Sequence, residues 1–226
     1  MGQHSRFLDR LQPSGWDRVL RDFVLSSEFD TLFNALREAD TTTGITPNVS
    51  QIFRAFYECP YNELKVVILG QDPYPKKGVA DGIAFSCGNT KEVQKSLKVM
   101  FKELEKTVGS RVSFDPDLKN WSNQGVLMLN SALTTVPGSI GKHYDMWKPF
   151  MKYLLLKLNE MNPGLIYVFM GAVATDWADS ISETNYKLYC YHPASAAYSG
   201  GEWDSNDMFN RVNQILLSNN GVQIKW

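Results

Sequence analysis

The chain has 226 residues, of which 43% are hydrophobic and 12% aromatic, and this suits a single α/β domain predicted over residues 1–226. Its formal net charge of −1 excludes a protein that holds nucleic acid by bulk positive charge, so any such contact needs a local basic patch. Three cysteines without a Cys-x-x-Cys pair argue against a zinc site, an iron–sulfur cluster or a disulfide framework, and they favour a reducing compartment. We expect a cytoplasmic protein, with a nuclear or viral context left open, and no membrane association, because no run approaches transmembrane length.

The first predicted elements are three helices. Apolar side chains recur every three or four positions over residues 16–23, 29–36 and 52–56. Such spacing places them on one face of a helix, where they pack against a core. Residues 41–48 are rich in turn formers and predict a loop between the second and third helices.

The next stretch, residues 64–86, reads LKVVILGQDPYPKKGVADGIAFS. Its apolar, β-branched run over residues 66–69, closed by Gly70, predicts a buried strand of a parallel sheet. Pro73 and Pro75 prevent a helix from following, so the strand leads into a rigid loop.

This loop carries a candidate site. Gln71, Asp72 and Tyr74 place an amide, an acid and an aromatic ring at the carboxyl end of a strand, where open α/β sheets bind ligands. The alternative is a proline-rich turn whose aspartate caps a helix or bonds its own backbone.

Residues 91–106 predict a loop followed by a helix, with Ser96 placed to cap it. Several lysines crowd this region: Lys76, Lys77, Lys91, Lys95, Lys98 and Lys102. A lysine run is usually a solvated helix face. The alternative is a site for a backbone phosphate, formed by a helix N-terminus, a hydroxyl and several lysines together.

Three further strands are predicted over residues 125–130, 164–171 and 186–191. The first ends in Asn130, and the last delivers His192 at its carboxyl end, as the strand over residues 66–69 delivers Asp72. Polar groups from three strand ends therefore converge on one rim of the sheet. The predicted fold class is α/β, a three-layer αβα sandwich with a central, mainly parallel four-stranded sheet.

Helices are predicted around these strands, over residues 147–161 and 203–218. Gly171 and Ala172 open a further helix, whose backbone amides could hold a phosphate. His143 falls in a region interpreted as a surface loop, where an isolated histidine is usually only exposed.

Two motifs carry a resemblance to a known family. GQDPY over residues 70–74, followed by GIAFS over residues 82–86, resembles the water-activating motif of family 1 uracil-DNA glycosylases. HPASAAYSG over residues 192–200 resembles the DNA-intercalation loop of the same family, usually HPSPLS. The resemblance runs from about residue 16 to the C-terminus, and it implies an enzyme of base excision repair that hydrolyses the N-glycosidic bond of uracil in DNA and leaves an abasic site.

The resemblance also implies roles for single residues. Asp72, ionised, would stabilise the cationic sugar and orient the attacking water, and neutral His192 would hydrogen-bond uracil O2. The implied base-binding residues are Gln71, which bonds the base, Tyr74, which excludes the thymine methyl, Phe85, which stacks, and Asn130, which reads the Watson–Crick edge. No cofactor and no metal are required.

Residues implied to contact DNA are Ser96, Gly171, Ala172, Pro193, Ala196 and Tyr198. Here the chain departs from the family's pattern in three places. Residues 93–95 replace prolines, Ala172 replaces a serine, and Ala196 replaces the leucine wedge that enters the vacated base stack. Tyr198 is the only large side chain near that wedge position.

The expected partner is uracil-containing DNA, single- or double-stranded, bound by a monomer; a protein inhibitor or a replication partner stays open. Two other classes also stay open. A catalytically weak or inactive DNA-binding or replication-scaffold protein could retain the fold, and the wedge substitution is its best support. An unrelated nucleotide-binding α/β protein would need a glycine-rich phosphate loop after the first strand, and Gln-Asp-Pro-Tyr-Pro is poor for that purpose.

Overall fold

The computed structural model describes residues 2–90, 92–109 and 114–226, so the predicted role of Lys91 lies outside the described residues. At its centre lies a four-stranded sheet of order β2-β1-β3-β4 in which all neighbours are parallel. The strands are β1 (Val66–Gly70), β2 (Val126–Asn130), β3 (Ile166–Met170) and β4 (Tyr186–Cys190). Every residue of β1, β2 and β3 is buried, as expected when helices cover both faces of a parallel sheet.

The helices form the two outer layers. Within the described residues they are α1 (Gln3–Leu11), α2 (Asp17–Val24), α3 (Ser27–Thr42), α4 (Arg54–Glu58), α5 (Lys95–Val108), α6 (Lys119–Ser122), α7 (Tyr144–Met161), α8 (Ala172–Thr175), α9 (Pro193–Ser199) and α10 (Met208–Ser218). Short 3-10 helices occupy Gln12–Ser14, Val49–Gln51, Tyr61–Glu63 and Ala178–Ser180. The predicted three-layer α/β fold with a four-stranded sheet is confirmed.

The connections between strands explain the layers. The β1–β2 connection, which contains α5, runs across the sheet in the opposite direction to the β2–β3 connection, which contains α7. Because parallel crossovers are right-handed, these two helices pack on opposite faces. Accordingly, α7 contacts α2 and α3, whereas α5 contacts α9 and α10. The chain changes direction between β1 and β3, so a ligand crevice is expected at their carboxyl ends.

Several elements differ from the predictions, among them the short helix α6, which was not predicted. Helix α1 was not predicted, because only a narrow apolar stripe interrupts its polar sequence, with Leu8 and Leu11 buried. The last helix begins at Met208 rather than at residue 203, and the segment interpreted as an intercalation loop forms the helix α9. Among the described residues, no helix has the length and apolar character needed to cross a membrane.

Candidate functional site

A cleft of about 600 Å³ opens beside the carboxyl ends of the strands. Its lining brings together many of the residues singled out in the sequence: Gln71, Asp72, Tyr74, Phe85, Ser96, His192 and Tyr198. Asn130 lies next to them, since it shares a narrow inner pocket with Tyr74 and Phe85. The register explains this convergence, because Gly70 pairs with Asn130 and the carboxyl ends of all four strands lie at one edge.

The two carboxylate oxygens of Asp72 have different environments. Oδ2 accepts hydrogen bonds from the Tyr144 hydroxyl at 2.6 Å, the Gly141 amide at 2.9 Å and the Gln71 side chain at 3.4 Å. Oδ1 is buried and has no hydrogen-bond partner among the described residues. Burial raises the pKa of Asp72, and the bonds from Tyr144 and Gly141 counteract part of that rise. Oδ1 is therefore a buried acceptor available to a small polar ligand.

The His192 ring is fixed in one tautomer. It stands at the N-cap of α9, and its Nδ1 accepts a hydrogen bond from the Ala194 amide at 3.1 Å. Burial lowers the pKa of His192 to about 4, so the ring is neutral at pH 7 and carries its proton on Nε2. Gly171 permits this placement, because a Cβ there would lie 2.8 Å from the His192 Cβ and its φ is +89°.

Phe85 forms the wall of the pocket in a strained conformation. Its φ of 65° is rare for a bulky residue, and the Tyr74 hydroxyl donates to its carbonyl at 3.0 Å. Its ring centroid lies 5.5 Å from that of His192. A Cβ at Gly70 would lie 3.0 Å from the Phe85 ring and 2.7 Å from Asn130 Oδ1, so only glycine fits between them.

A buried ion pair supports the turn that leads to Phe85. Asp81 is fully buried and accepts from Arg54 at 2.8 Å, from the Ser86 hydroxyl at 2.6 Å and from the Gly88 amide at 2.9 Å. These bonds fix both ends of the segment that contains Phe85. This role of Asp81 was not predicted from the sequence, although an acid next to Gly82 inside the motif was a signal for it.

Asn130 is available for binding. Its side chain is 7% exposed and makes no hydrogen bond to another described residue. Next to it, the Ser131 hydroxyl and amide both donate to the Gly70 carbonyl and tie the ends of β1 and β2 together. A nearly buried amide whose partners are missing favours a ligand that supplies them.

The outer edge of the cleft is formed by α5 and α9. Tyr198 on α9 is 75% exposed, and Lys95 Nζ lies 5.1 Å from its ring centroid. Ala196 is only 7% exposed and packs inward. The prediction that Ser96 caps α5 is wrong, because Gln94 occupies the N-cap position and Ser96 is the second residue of the helix, nearly buried. Lys95, Lys98 and the neighbouring Lys102 all lie on this helix.

His143 differs from its prediction, because it is 5% exposed rather than on the surface. Its Nδ1 lies 2.9 Å from the Thr134 hydroxyl, which also accepts from the Trp147 indole. Gly141 and Tyr144, which donate hydrogen bonds to Asp72, lie in the same segment as His143, and their role was not predicted from the sequence. Among the described residues, no three histidine, cysteine, aspartate or glutamate side chains gather as a metal site would require.

Comparison with known proteins agrees with this geometry. A family model of the uracil DNA glycosylase superfamily matches residues 56–217. The chain belongs to this superfamily. A uracil-DNA glycosylase of Flavobacterium johnsoniae is 30% identical over 97% of this chain and all of its own length, and uracil-DNA glycosylase 1 of Listeria innocua is 33% identical over 93% of this chain and 96% of its own length.

Solved structures give the same result. The crystal structure of mimivirus uracil-DNA glycosylase superimposes with a TM-score of 0.86 at 28% identity, covering 97% of this chain and 88% of the other. A tyrosine-to-leucine variant of the mimivirus protein, solved in complex with UGI, gives a TM-score of 0.84 at 27% identity, covering 97% and 90%. The likeness therefore extends well beyond the motif residues.

Proposed function

We propose that this chain is a family 1 enzyme in which Asp72 and His192 carry the hydrolysis. The activity itself follows from the family and its relatives: the chain is a uracil-DNA glycosylase, a hydrolase that removes uracil from DNA in base excision repair. The observation that carries the residue assignment is Oδ1 of Asp72, which is buried without a hydrogen-bond partner in the described part of the chain and lies in one cleft with the His192 ring.

The proposed mechanism follows the movement of charge. Breaking the N-glycosidic bond builds positive charge on the sugar and negative charge on the departing uracil. Ionised Asp72 stabilises the sugar cation, and its Oδ1 accepts a hydrogen bond from the attacking water. His192 Nε2 donates to uracil O2 as negative charge develops there, and the neutral ring needs no proton transfer to do so. Both groups are fixed before the reaction, which is electrostatic preorganisation.

The proposed base pocket separates uracil from the other bases. Uracil in a duplex is inaccessible, so the nucleotide must flip into the cleft, where Phe85 stacks on it. Asn130 bonds the Watson–Crick edge and rejects cytosine, whose amine presents a donor where uracil has an acceptor. Tyr74 stands against C5 and excludes the methyl of thymine, and Gln71 adds bonds to the base. A missing hydrogen bond in such a site costs about 1–3 kcal/mol.

The proposed DNA contacts lie around the cleft. Ser96 at the start of α5 and the Gly171–Ala172 amides at the start of α8 bind backbone phosphates. On α9, Pro193 shapes the turn after the catalytic histidine. Between the two wedge candidates, the exposure of Tyr198 and the burial of Ala196 support the tyrosine.

The proposal extends to the state of the protein. We propose a monomer of one domain over residues 1–226 that acts on single- and double-stranded DNA. We propose a protein inhibitor as a partner, since a variant of the mimivirus protein was solved in complex with UGI. The free thiols Cys59, Cys87 and Cys190 support a reducing compartment such as the cytoplasm.

The test is excision from uracil-containing oligonucleotides in the presence of chelator. We expect abasic product without added metal, and Asp72→Asn should lower kcat by about 10²–10³-fold, as the removal of other preorganised groups does. Inhibition by chelator that added metal reverses would contradict the mechanism, and full activity of Asp72→Asn would contradict the assignment. DNA binding without any product from the wild-type chain would favour the scaffold alternative.

A further inference from the structure

The Oδ2 atom of the Asp72 carboxylate accepts hydrogen bonds from the segment that leads into α7, which begins at Tyr144. Tyr144 and Gly141 both donate to Oδ2 of Asp72, at 2.6 Å and 2.9 Å, while Oδ1 accepts no hydrogen bond from the residues that the structure describes. We propose that Tyr144, assisted by the Gly141 amide, is a positioning residue that holds Asp72 by Oδ2 and so reserves Oδ1 for the attacking water. This inference rests on the proposed role of Asp72.

The tyrosine is suited to remain a donor. Burial and the bond to the Asp72 carboxylate raise the pKa of Tyr144, so its hydroxyl keeps its proton throughout the range in which the enzyme works. Hydrogen bonds to a charged acceptor are short and strong, and 2.6 Å lies within the range for a hydroxyl and a carboxylate. The bond therefore persists as long as Asp72 is ionised.

The segment that carries Tyr144 is itself fixed. Gly141 has a φ of +71°, and a Cβ there would lie 3.3 Å from the Tyr144 ring, so the ring packs directly over the glycine. Between them, the buried His143 bonds Thr134, which also accepts from Trp147 in the first turns of α7. The two donors to Asp72 are thus attached to the core rather than to a free loop.

The effect of losing the Tyr144 hydroxyl on the pKa of Asp72 depends on the other titratable groups around the carboxylate. A protonated His143 would lower the pKa of Asp72 by its charge. Burial lowers the pKa of His143, however, so the ring is neutral at pH 7 and has no such effect there. His192, in the same cleft, is neutral for the same reason, and Lys76 and Lys95 lie on the cleft lining. The Tyr144 bond lowers the pKa of Asp72, so its removal raises that pKa and makes the ionised form available only at higher pH.

The experiment compares Tyr144→Phe with Tyr153→Phe. Both remove one hydroxyl from α7, but the Tyr153 hydroxyl donates to the Val19 carbonyl, away from the cleft. For Tyr144→Phe we expect kcat to fall about tenfold with little change in KM, and the acidic limb of the kcat profile to move up by about one pH unit. Tyr153→Phe should leave both unchanged.

A second variant disturbs the bond between Tyr144 and Asp72 without changing either residue. Gly141→Ala adds a methyl against the Tyr144 ring at a positive φ, so it should shift the acidic limb in the same direction. Circular dichroism and thermal unfolding of each variant check that the fold is retained. An unchanged limb in a folded Tyr144→Phe, a downward shift, or an effect confined to KM would overturn the inference. If Asp72→Asn is inactive but Tyr144→Phe behaves as wild type, only this inference fails; if Asp72→Asn is active, the proposed function fails.

Discussion

The two sides of the cleft are held by very different means. On the inner side, the base wall, defined as Asp81 with Phe85 and Tyr74, is tied by a buried ion pair and by hydrogen bonds between distant parts of the chain. On the outer side, the DNA rim, defined as α9 with Lys95, presents side chains to solvent. Phe85 is 7% exposed, whereas Tyr198 is 75% exposed.

This difference corresponds to the chemistry proposed for each side. A reacting base must be held within a fraction of an ångström, so its supports have to be rigid and interlocked. A DNA backbone can be held by mobile, screened contacts that tolerate substitution. Accordingly, the two motifs matched without a departure, GQDPY and GIAFS, contribute Tyr74 and Phe85 to the base wall, whereas the departures noted in the sequence, at residues 93–95, Ala172 and Ala196, all lie outside it.

Breaking the base wall should have the largest effect. Asp81→Asn replaces a fully buried acceptor by an amide whose NH2 group faces the donors of Arg54, Ser86 and Gly88, so we expect the unfolding free energy to fall by about 3–5 kcal/mol, measured by urea titration. Activity should fall as well, because the strained Phe85 then keeps the hydrogen bond from Tyr74 but loses the support of the Asp81 carboxylate for its turn. Asp117→Asn is the control, since Asp117 pairs with the same Arg54 but is 34% exposed, and it should cost about 1 kcal/mol or less. Equal losses of unfolding free energy in the two variants would contradict the expectation that the buried Asp81 contributes more stability than the half-buried Asp117.

The pH dependence of the unfolding free energy tests whether the His192 ring is shielded from water in the folded chain. The pKa of His192 is lowered from 6.5 to about 4, so between these values the unfolded chain binds a proton that the folded chain does not. Its neutral state therefore contributes stability above pH 6.5, and that contribution is lost as the pH falls toward 4. We expect a loss of about 1–2 kcal/mol, less than the full shift implies because the ring is partly exposed.

The measurement is unfolding free energy against pH for the wild-type chain and for His192→Gln, which cannot titrate. The two curves should run parallel above pH 7 and diverge below it, with the wild-type chain losing stability faster. In the same variant, kcat should fall by about 10²–10³-fold, because the donor to uracil O2 is displaced. Parallel curves across the whole range would mean that the ring is hydrated.

The sequence predicted which side chains meet in the cleft better than it predicted the contacts that hold those side chains in place. Strand ends carry Asp72, Asn130 and His192, and parallel topology requires that such ends meet, so their convergence could be expected from local patterns. The contacts of Asp81 with Arg54 and of Tyr144 with Asp72 join residues far apart in the chain. No periodicity encodes such pairings, because they depend on how the helical layers dock. The surface position expected for His143 was wrong, since the residue is 5% exposed and its ring lies against the Thr134 hydroxyl, a contact that local sequence pattern does not encode.

The DNA rim offers the smallest predicted effect and the most selective one. Flipping costs a few kcal/mol of unstacking and unpairing, least where the strand is already single. Tyr198 can recover part of this by stacking on the bases beside the gap, which is worth roughly 1–3 kcal/mol. We therefore expect Tyr198→Ala to lower single-turnover excision from duplex DNA by about tenfold while leaving single-stranded DNA nearly unaffected.

Two variants sharpen this prediction. Tyr191→Ala removes a tyrosine of matched exposure, 76%, from the residue before His192, and it should affect neither substrate, provided that the wedge is Tyr198 alone. Ala196→Leu restores the wedge residue of the family, but Ala196 packs inward, so the larger side chain should strain α9 rather than raise duplex activity. A gain in duplex activity from Ala196→Leu, with no loss from Tyr198→Ala, would assign the wedge to position 196. Equal effects of Tyr198→Ala on both substrates would mean that α9 binds DNA without filling the gap, because only an inserted side chain distinguishes a paired base from an unpaired one.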